Sequence, residues 1–158
     1  MDGREECILC RGPAGDAELQ RVEVWRDELW RLTASLAAEV PGFCYLEPLR
    51  HIQHITDLDG PEATSFGAVL ARVSRALRDA TGAALVYVYV FGGGVAHLHV
   101  HLAPHTEGDA LNEQMIRGEL VERRLPSGLT EFVSAEFQPL PEAEQRVTAA
   151  RVGESLYG

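Results

Sequence analysis

The sequence predicts an α+β domain in which an antiparallel sheet carries one main helix, and three observations lead there. An apolar stripe at helical spacing runs between residues 61 and 80, runs with strand character stand on both sides of it, and the order strands, helix, strands lacks the regular alternation of a parallel sheet. A length of 158 residues suits one domain with a substantial core. Residues 1–105 are read as the core of that domain, including an N-terminal Cys-x-x-Cys segment, and 106–158 as a C-terminal extension of it.

Taken in order, the turn cluster Arg11-Gly12-Pro13-Ala14-Gly15 sets the Cys7–Cys10 segment apart. Val22–Trp25 and Leu29–Thr33 read as two short strands of a hairpin around Arg26-Asp27. Gly42–Glu47 is a third strand, marked at its ends by Pro41 and Pro48. The helix spans Pro61–Ala80, with proline in its first turn, and Phe66, Val69, Leu70, Val73 and Leu77 recurring on one face. Thr81-Gly82 ends it. Ala84–Phe91 and Val95–Ala103, joined by Gly92-Gly93-Gly94, form a second hairpin expected at the centre of the sheet and bring the strands to five. Beyond His105 the pattern weakens: Leu111–Leu125 has partial helical character, Leu129–Val133 is extended, and Pro141–Val152 is a terminal helix.

Composition excludes several classes. A net charge of −10 lacks the basic footprint of a nucleic-acid binder, so phosphate recognition must come from histidines, backbone N–H groups or a few placed arginines. No apolar run reaches the roughly 20 residues that span a bilayer. The polar, acidic stretch Met1–Glu6 has no signal-peptide pattern, and a cytoplasmic location is expected. With 3 cysteines no disulfide framework is expected. Cys44, in an apolar run, is an inert core thiol. Cys7 and Cys10 have the spacing of metal ligands or of a redox pair.

The segment Val95-Ala96-His97-Leu98-His99-Val100-His101-Leu102-Ala103 carries most of the chemistry. On a strand, alternate side chains share a face, which places His97, His99 and His101 in a row at roughly 6–7 Å intervals while Leu98, Val100 and Leu102 anchor the other face. Imidazoles in such a row can attack as nucleophiles, shuttle protons or bind metal.

That alternation, His-φ-His-φ-His-φ-φ with φ apolar, resembles the signature of the histidine-triad (HIT) family of nucleotide hydrolases and transferases, and Pro104 follows where the family often has proline. Pro48-Leu49-Arg50-His51 resembles the family's Pro-Lys-Arg-His stretch before its helix. Cys7-Ile8-Leu9-Cys10 resembles the Cys-Ile-Phe-Cys opening of zinc-containing bacterial members. The likeness covers about residues 5 to 105.

The resemblance implies a HIT-like five-stranded antiparallel sheet and a homodimer formed through the helix and an adjacent strand. It implies cleavage of a nucleoside phosphoramidate or dinucleotide polyphosphate through a nucleotidyl-histidine intermediate on His99, with His101 on the phosphate oxygens. It also implies a structural zinc held by Cys7, Cys10, His51 and His97. Gly93 and Gly94 could bring backbone N–H groups to a phosphate or simply make the turn, and Ile8, Leu9 and Leu29 could line a base pocket. His54 is expected on a solvated edge, with substitution for His51 as a ligand the alternative, and His105 is expected in an exposed loop.

Two positions depart from the family pattern. Phe43 stands where members often carry another histidine in the third strand. Only Phe91-Gly92-Gly93-Gly94-Val95-Ala96 stands where they carry a longer stretch with Asn and Gly-Gln. A protein that binds a nucleotide-like ligand with redirected or weak catalysis therefore stays open, as does a histidine-based transition-metal protein.

Overall fold

The computed structural model describes residues 3–111 and 120–158. A 3₁₀ turn, Ile8–Arg11, and a short helix α1 (Pro13–Glu18) lead into β1 (Arg21–Arg26) and β2 (Trp30–Ser35). β3 (Cys44–Pro48), the 22-residue helix α2 (Gly60–Thr81), β4 (Leu85–Tyr89) and β5 (Val100–His105) follow. The five strands make one antiparallel sheet in the order β1-β2-β3-β5-β4. β6 (Leu120–Arg124) and β7 (Thr130–Ser134) pair separately, and α3 (Glu142–Tyr157) closes the chain. No helix among the described residues is long and apolar enough to cross a membrane.

Local chemistry explains the elements. The Asp27 carboxylate accepts the backbone N–H groups of Leu29 and Trp30 at 2.8 and 2.7 Å, which closes the first hairpin. Helix α2 begins with Pro61 in its first turn and stops at Gly82, whose φ of +71° is the left-handed conformation glycine adopts freely. One sheet face presents Trp30, Leu32, Leu46, Val100 and Leu102 to Val73 and Leu77 of α2 and to Val152 and Leu156 of α3. All of these side chains are buried, and Trp30 Nε1 still donates to Ser65 Oγ at 2.9 Å. The C-terminal helix is thus part of the main core. Gln145 on α3 donates to the carbonyls of Ala38 and Val40 and accepts the N–H of Gly42, tying α3 to the turn between β2 and β3.

The sequence expectations hold for the first hairpin, the third strand and the main helix, each within about two residues. Three differ. The second hairpin is not central: β3 is the middle strand and β4 the edge, where Leu85 and Val88 stay exposed while both faces of β5 are covered. β5 starts at Val100, not at Val95, because His97 N–H turns back to the Val95 carbonyl at 2.8 Å and Leu98 N–H bonds to Ile52 at 2.7 Å. His105 is not in an exposed loop: it ends β5, stacks on Tyr87 at 4.9 Å and holds Asp109 at 2.9 Å. In the tail, Thr130–Ser134 is extended as expected and the terminal helix runs on to Tyr157. Of the expected helical stretch Leu111–Leu125, the part over 112–119 lies outside the described residues, and 120–124 is a strand.

Because strand side chains alternate, the face away from α2 collects a second set of residues. Thr33 is paired with Tyr45, Tyr45 with His101, and His101 with Tyr89, so these four form a row across β2, β3, β5 and β4. Arg31 and Glu47 are paired one step along.

Candidate active site and metal cluster

His99 and His101 remain neighbours, with ring centroids 5.3 Å apart. His97 leaves the row, because the turn at Val95 swings its ring toward His51. The carbonyl of His97 nevertheless stays at the site: His99 Nδ1 lies 2.6 Å from that oxygen. A carbonyl can only accept, so Nδ1 carries the proton and the Nε2 lone pair of His99 is left free. His101 Nδ1 is held the same way by the Tyr89 carbonyl at 3.3 Å.

Both rings are held neutral. Burial pushes His101 down to about 4, with the neighbouring His99 and the Arg21 charge adding to it. Burial also lowers His99, and Arg21 contributes there too. An unprotonated imidazole with its far nitrogen free is the form that attacks.

Around His101 the site is aromatic. Tyr89 stacks on it at 4.7 Å, Tyr45 meets it at 5.2 Å, Phe91 at 5.6 Å and Phe43 edge-on at 6.2 Å. The Arg21 guanidinium lies 3.7 Å from the Tyr45 ring centre, a cation–π contact. Its Nη1 is buried without a hydrogen-bond partner. The sequence pattern singled out Phe43 and Phe91 but identified neither Arg21 nor Tyr45 nor Tyr89, since their contact depends on strand register and not on spacing within one strand.

A charged network ties the N-terminal segment to this face. Arg31 forms a two-point pair with Asp16 at 2.9 and 3.0 Å, contacts Glu47 at 2.7 Å and donates to the Leu9 carbonyl at 3.2 Å. Burial pushes the Glu47 carboxyl up to about 7, against the pull of Arg21 and Arg31. By gripping Leu9, Arg31 holds the turn that carries Cys7 and Cys10.

Cys7, Cys10, His51 and His97 form a cluster whose ligand atoms all lie within 4.8 Å of one another. Cys7 Sγ is 3.5 Å from His97 Nδ1, Cys10 Sγ is 3.4 Å from both His97 Nδ1 and His51 Nδ1, and the two Nδ1 atoms are 3.4 Å apart. A tetrahedral ion with bonds of about 2.3 Å to sulfur and about 2.0–2.1 Å to nitrogen sets its ligands roughly 3.3–3.8 Å apart. The residues present therefore fit such an ion. His97 Nε2 donates to the Pro48 carbonyl at 2.9 Å, which leaves Nδ1 unprotonated and aimed at the cluster. Burial lowers the metal-free His97 imidazole to about 4, which also favours the ligating form. His54 is not in the cluster: it caps the 3₁₀ turn Ile55–Asp57. Cys44 is fully buried in the core, and burial pushes its thiol well up.

The glycine turn has one demanding position, Gly92, at φ +76°. At Gly93 and Gly94 an added Cβ would meet nothing within 4 Å, so crowding does not require glycine there. Ile8 lines a space of about 350 Å³ with Cys7, Gly94, Val95, Ala96 and Leu129, whereas Leu9 is buried and Leu29 packs on the core.

The model of the HIT domain family matches residues 16–108, more than half of the chain, and the chain belongs to that family. A search of curated proteins gave no match. Among solved structures, the chain resembles a HIT-like protein involved in cell-cycle regulation from Bartonella henselae, solved with an unknown ligand, at 18% identity and TM-score 0.67, covering 96% of this chain and 97% of that one. It resembles a zinc-bound histidine triad protein from Mycobacterium smegmatis at 23% identity and TM-score 0.63, with 96% of each chain covered. A HIT family hydrolase from Legionella pneumophila matches at 20% identity and TM-score 0.50, over 64% of this chain and 94% of that one. Likeness at these identities speaks for the fold.

Proposed function

We propose that this protein is a nucleotide hydrolase or transferase that cleaves a nucleoside phosphoramidate or dinucleotide polyphosphate through a nucleotidyl group on His99. The observation that carries this reading is the 2.6 Å contact between His99 Nδ1 and the His97 carbonyl, which frees Nε2 for attack. The Nε2 lone pair forms a bond to the α-phosphorus, and the bond from phosphorus to the leaving nitrogen or oxygen breaks. The leaving atom departs with that electron pair and takes a proton from solvent. Water then attacks phosphorus, the N–P bond returns its pair to His99, and the water proton goes to solvent. His101 gains a proton when the phosphate arrives and hydrogen-bonds its oxygens, bearing transition-state charge. Gly93 and Gly94, in the turn before the histidine segment, are the backbone N–H groups assigned to the phosphate in this reading.

Cys7, Cys10, His51 and His97 would hold a structural zinc that fixes the N-terminal segment and the His97 backbone. A nucleotide-type small molecule is the partner, in a homodimer built through α2 and the exposed edge of β4, where Leu85 and Val88 lie 55% and 43% exposed. Enclosure of His101 by Phe43, Tyr45 and Tyr89 favours a second reading, ligand binding with weak turnover.

The test is nucleotide release from adenosine and guanosine phosphoramidates, diadenosine polyphosphates and a nucleotide sugar, comparing wild type with His99→Ala. Turnover of one substrate class that falls at least about 1,000-fold in the variant supports the hydrolase reading. Tight binding without turnover supports the second.

A further inference from the structure

We infer that Phe91 is a stacking platform for a flat, aromatic part of the ligand, placed directly beside the histidine pair. Phe91 follows β4 on the edge of the glycine turn, and its ring lies 5.6 Å from His101 and 5.1 Å from Tyr89. Tyr89 and His101 are themselves stacked nearly parallel, at 4.7 Å and 10°. Phe91 therefore extends an ordered set of rings outward from the site, and it does so while 68% exposed. The other described rings against His101 are at least partly buried, so among them Phe91 is the most exposed.

The turn that follows the ring is built of small residues, and an added Cβ at Gly93 or Gly94 would meet nothing within 4 Å. His99 and His101 have ring centroids 5.3 Å apart. A ligand whose phosphorus rests at His99 would bring a neighbouring planar group over Phe91 within the reach of one small molecule. Ring faces of this kind prefer offset or edge contact with another π-system. A nucleobase or an aromatic leaving group offers the same chemistry, and the two differ in their distance from phosphorus. Placement of phosphorus at His99 rests on the proposed function; the ring platform is tested by binding alone.

The experiment is isothermal titration of the zinc-loaded protein with two ligand pairs, AMP against ribose 5-phosphate and phenyl phosphate against methyl phosphate. Wild type, Phe91→Ala and Phe91→Trp are compared, with zinc content and Tm confirming that each folds. Wild type should prefer a ring-bearing member by about tenfold, the scale of one base–aromatic contact. Phe91→Ala should erase that preference and Phe91→Trp should keep it. Loss confined to the AMP pair assigns the platform to the nucleobase, and loss in the phenyl pair assigns it to a ring close to phosphorus. Ring-bearing ligands that bind no better than ring-free ones, or not at all, would overturn the inference. So would a preference that survives in Phe91→Ala, including a case where that variant only loses dimerisation in sedimentation. Absence of turnover would count against the hydrolase reading and leave these binding results standing.

Discussion

The carbonyl oxygen of His97 accepts the Nδ1–H of His99 at 2.6 Å, so a residue of the Cys7–Cys10–His51–His97 cluster sets the tautomer of the proposed nucleophile through its backbone. His97 is fixed twice more, by its Nδ1 in the cluster and by its Nε2 on the Pro48 carbonyl. The cluster and the proposed reactive histidine are thereby one mechanical unit, and disruption of the first should reach the second.

On the proposed zinc assignment, wild type should hold one zinc per chain, and Cys7→Ser should lower that toward none and reduce Tm by about 5–15 °C, because binding energy at a structural site is folding energy. Activity should fall with it through the His97 backbone, since the proposed reading gives the zinc a structural role only. Metal analysis and calorimetry on the same samples check this, and an unchanged zinc content would reject the ligand assignment.

Arg31→Met should destabilise the fold by about 3–5 kcal/mol. It strands the buried carboxylates of Asp16 and Glu47 and releases the Leu9 carbonyl. Urea unfolding measures the loss. A change within about 0.5 kcal/mol would mean the network is solvated.

His101 should titrate with a midpoint near 4, read by NMR of its ring protons in the zinc-loaded protein. Since Arg21 lowers that midpoint, Arg21→Gln should raise it. The folded value lies below the ordinary 6.5, so the unfolded chain takes up a proton that the folded one refuses as pH falls from about 6.5 to 4. Stability from the neutral ring is complete above about 6.5 and is lost across that window. Unfolding midpoints of wild type should therefore drop relative to His101→Phe on acidification. A His101 midpoint above 6 would contradict the enclosure.

Gly153→Ala should cost about 1–3 kcal/mol, since a Cβ there would come within 2.9 Å of the Val24 carbonyl. The close approach of α3 to β1 depends on that glycine. Thermal unfolding of the variant tests whether the C-terminal helix is as integral as its packing implies.

Much of this was legible in the sequence because it is local. The period of Phe66, Val69, Val73 and Leu77 marks α2, and the alternation around His99 marks the reactive strand. What was hidden depends on register and long-range contact. Arg21 reaches Tyr45 across β2, and Tyr89 meets His101 only because β4 pairs with β5 in one particular alignment. The departure of His97 from the row was also invisible, since it needs Leu98 to bond to Ile52, a residue 46 positions away. In the tail, Ala149, Val152 and Leu156 reach the main core from a sequence whose pattern alone does not say what it packs against.

The most direct measurement of the central claim is mass spectrometry of the protein mixed with a cleavable adenosine phosphoramidate and quenched in denaturant at alkaline pH. Wild type should gain one adenylyl group, mapped by peptide fragmentation to His99 and absent from His99→Ala. Turnover with no adduct under rapid quench, or an adduct that persists in His99→Ala, would contradict the assignment of His99 as the nucleophile.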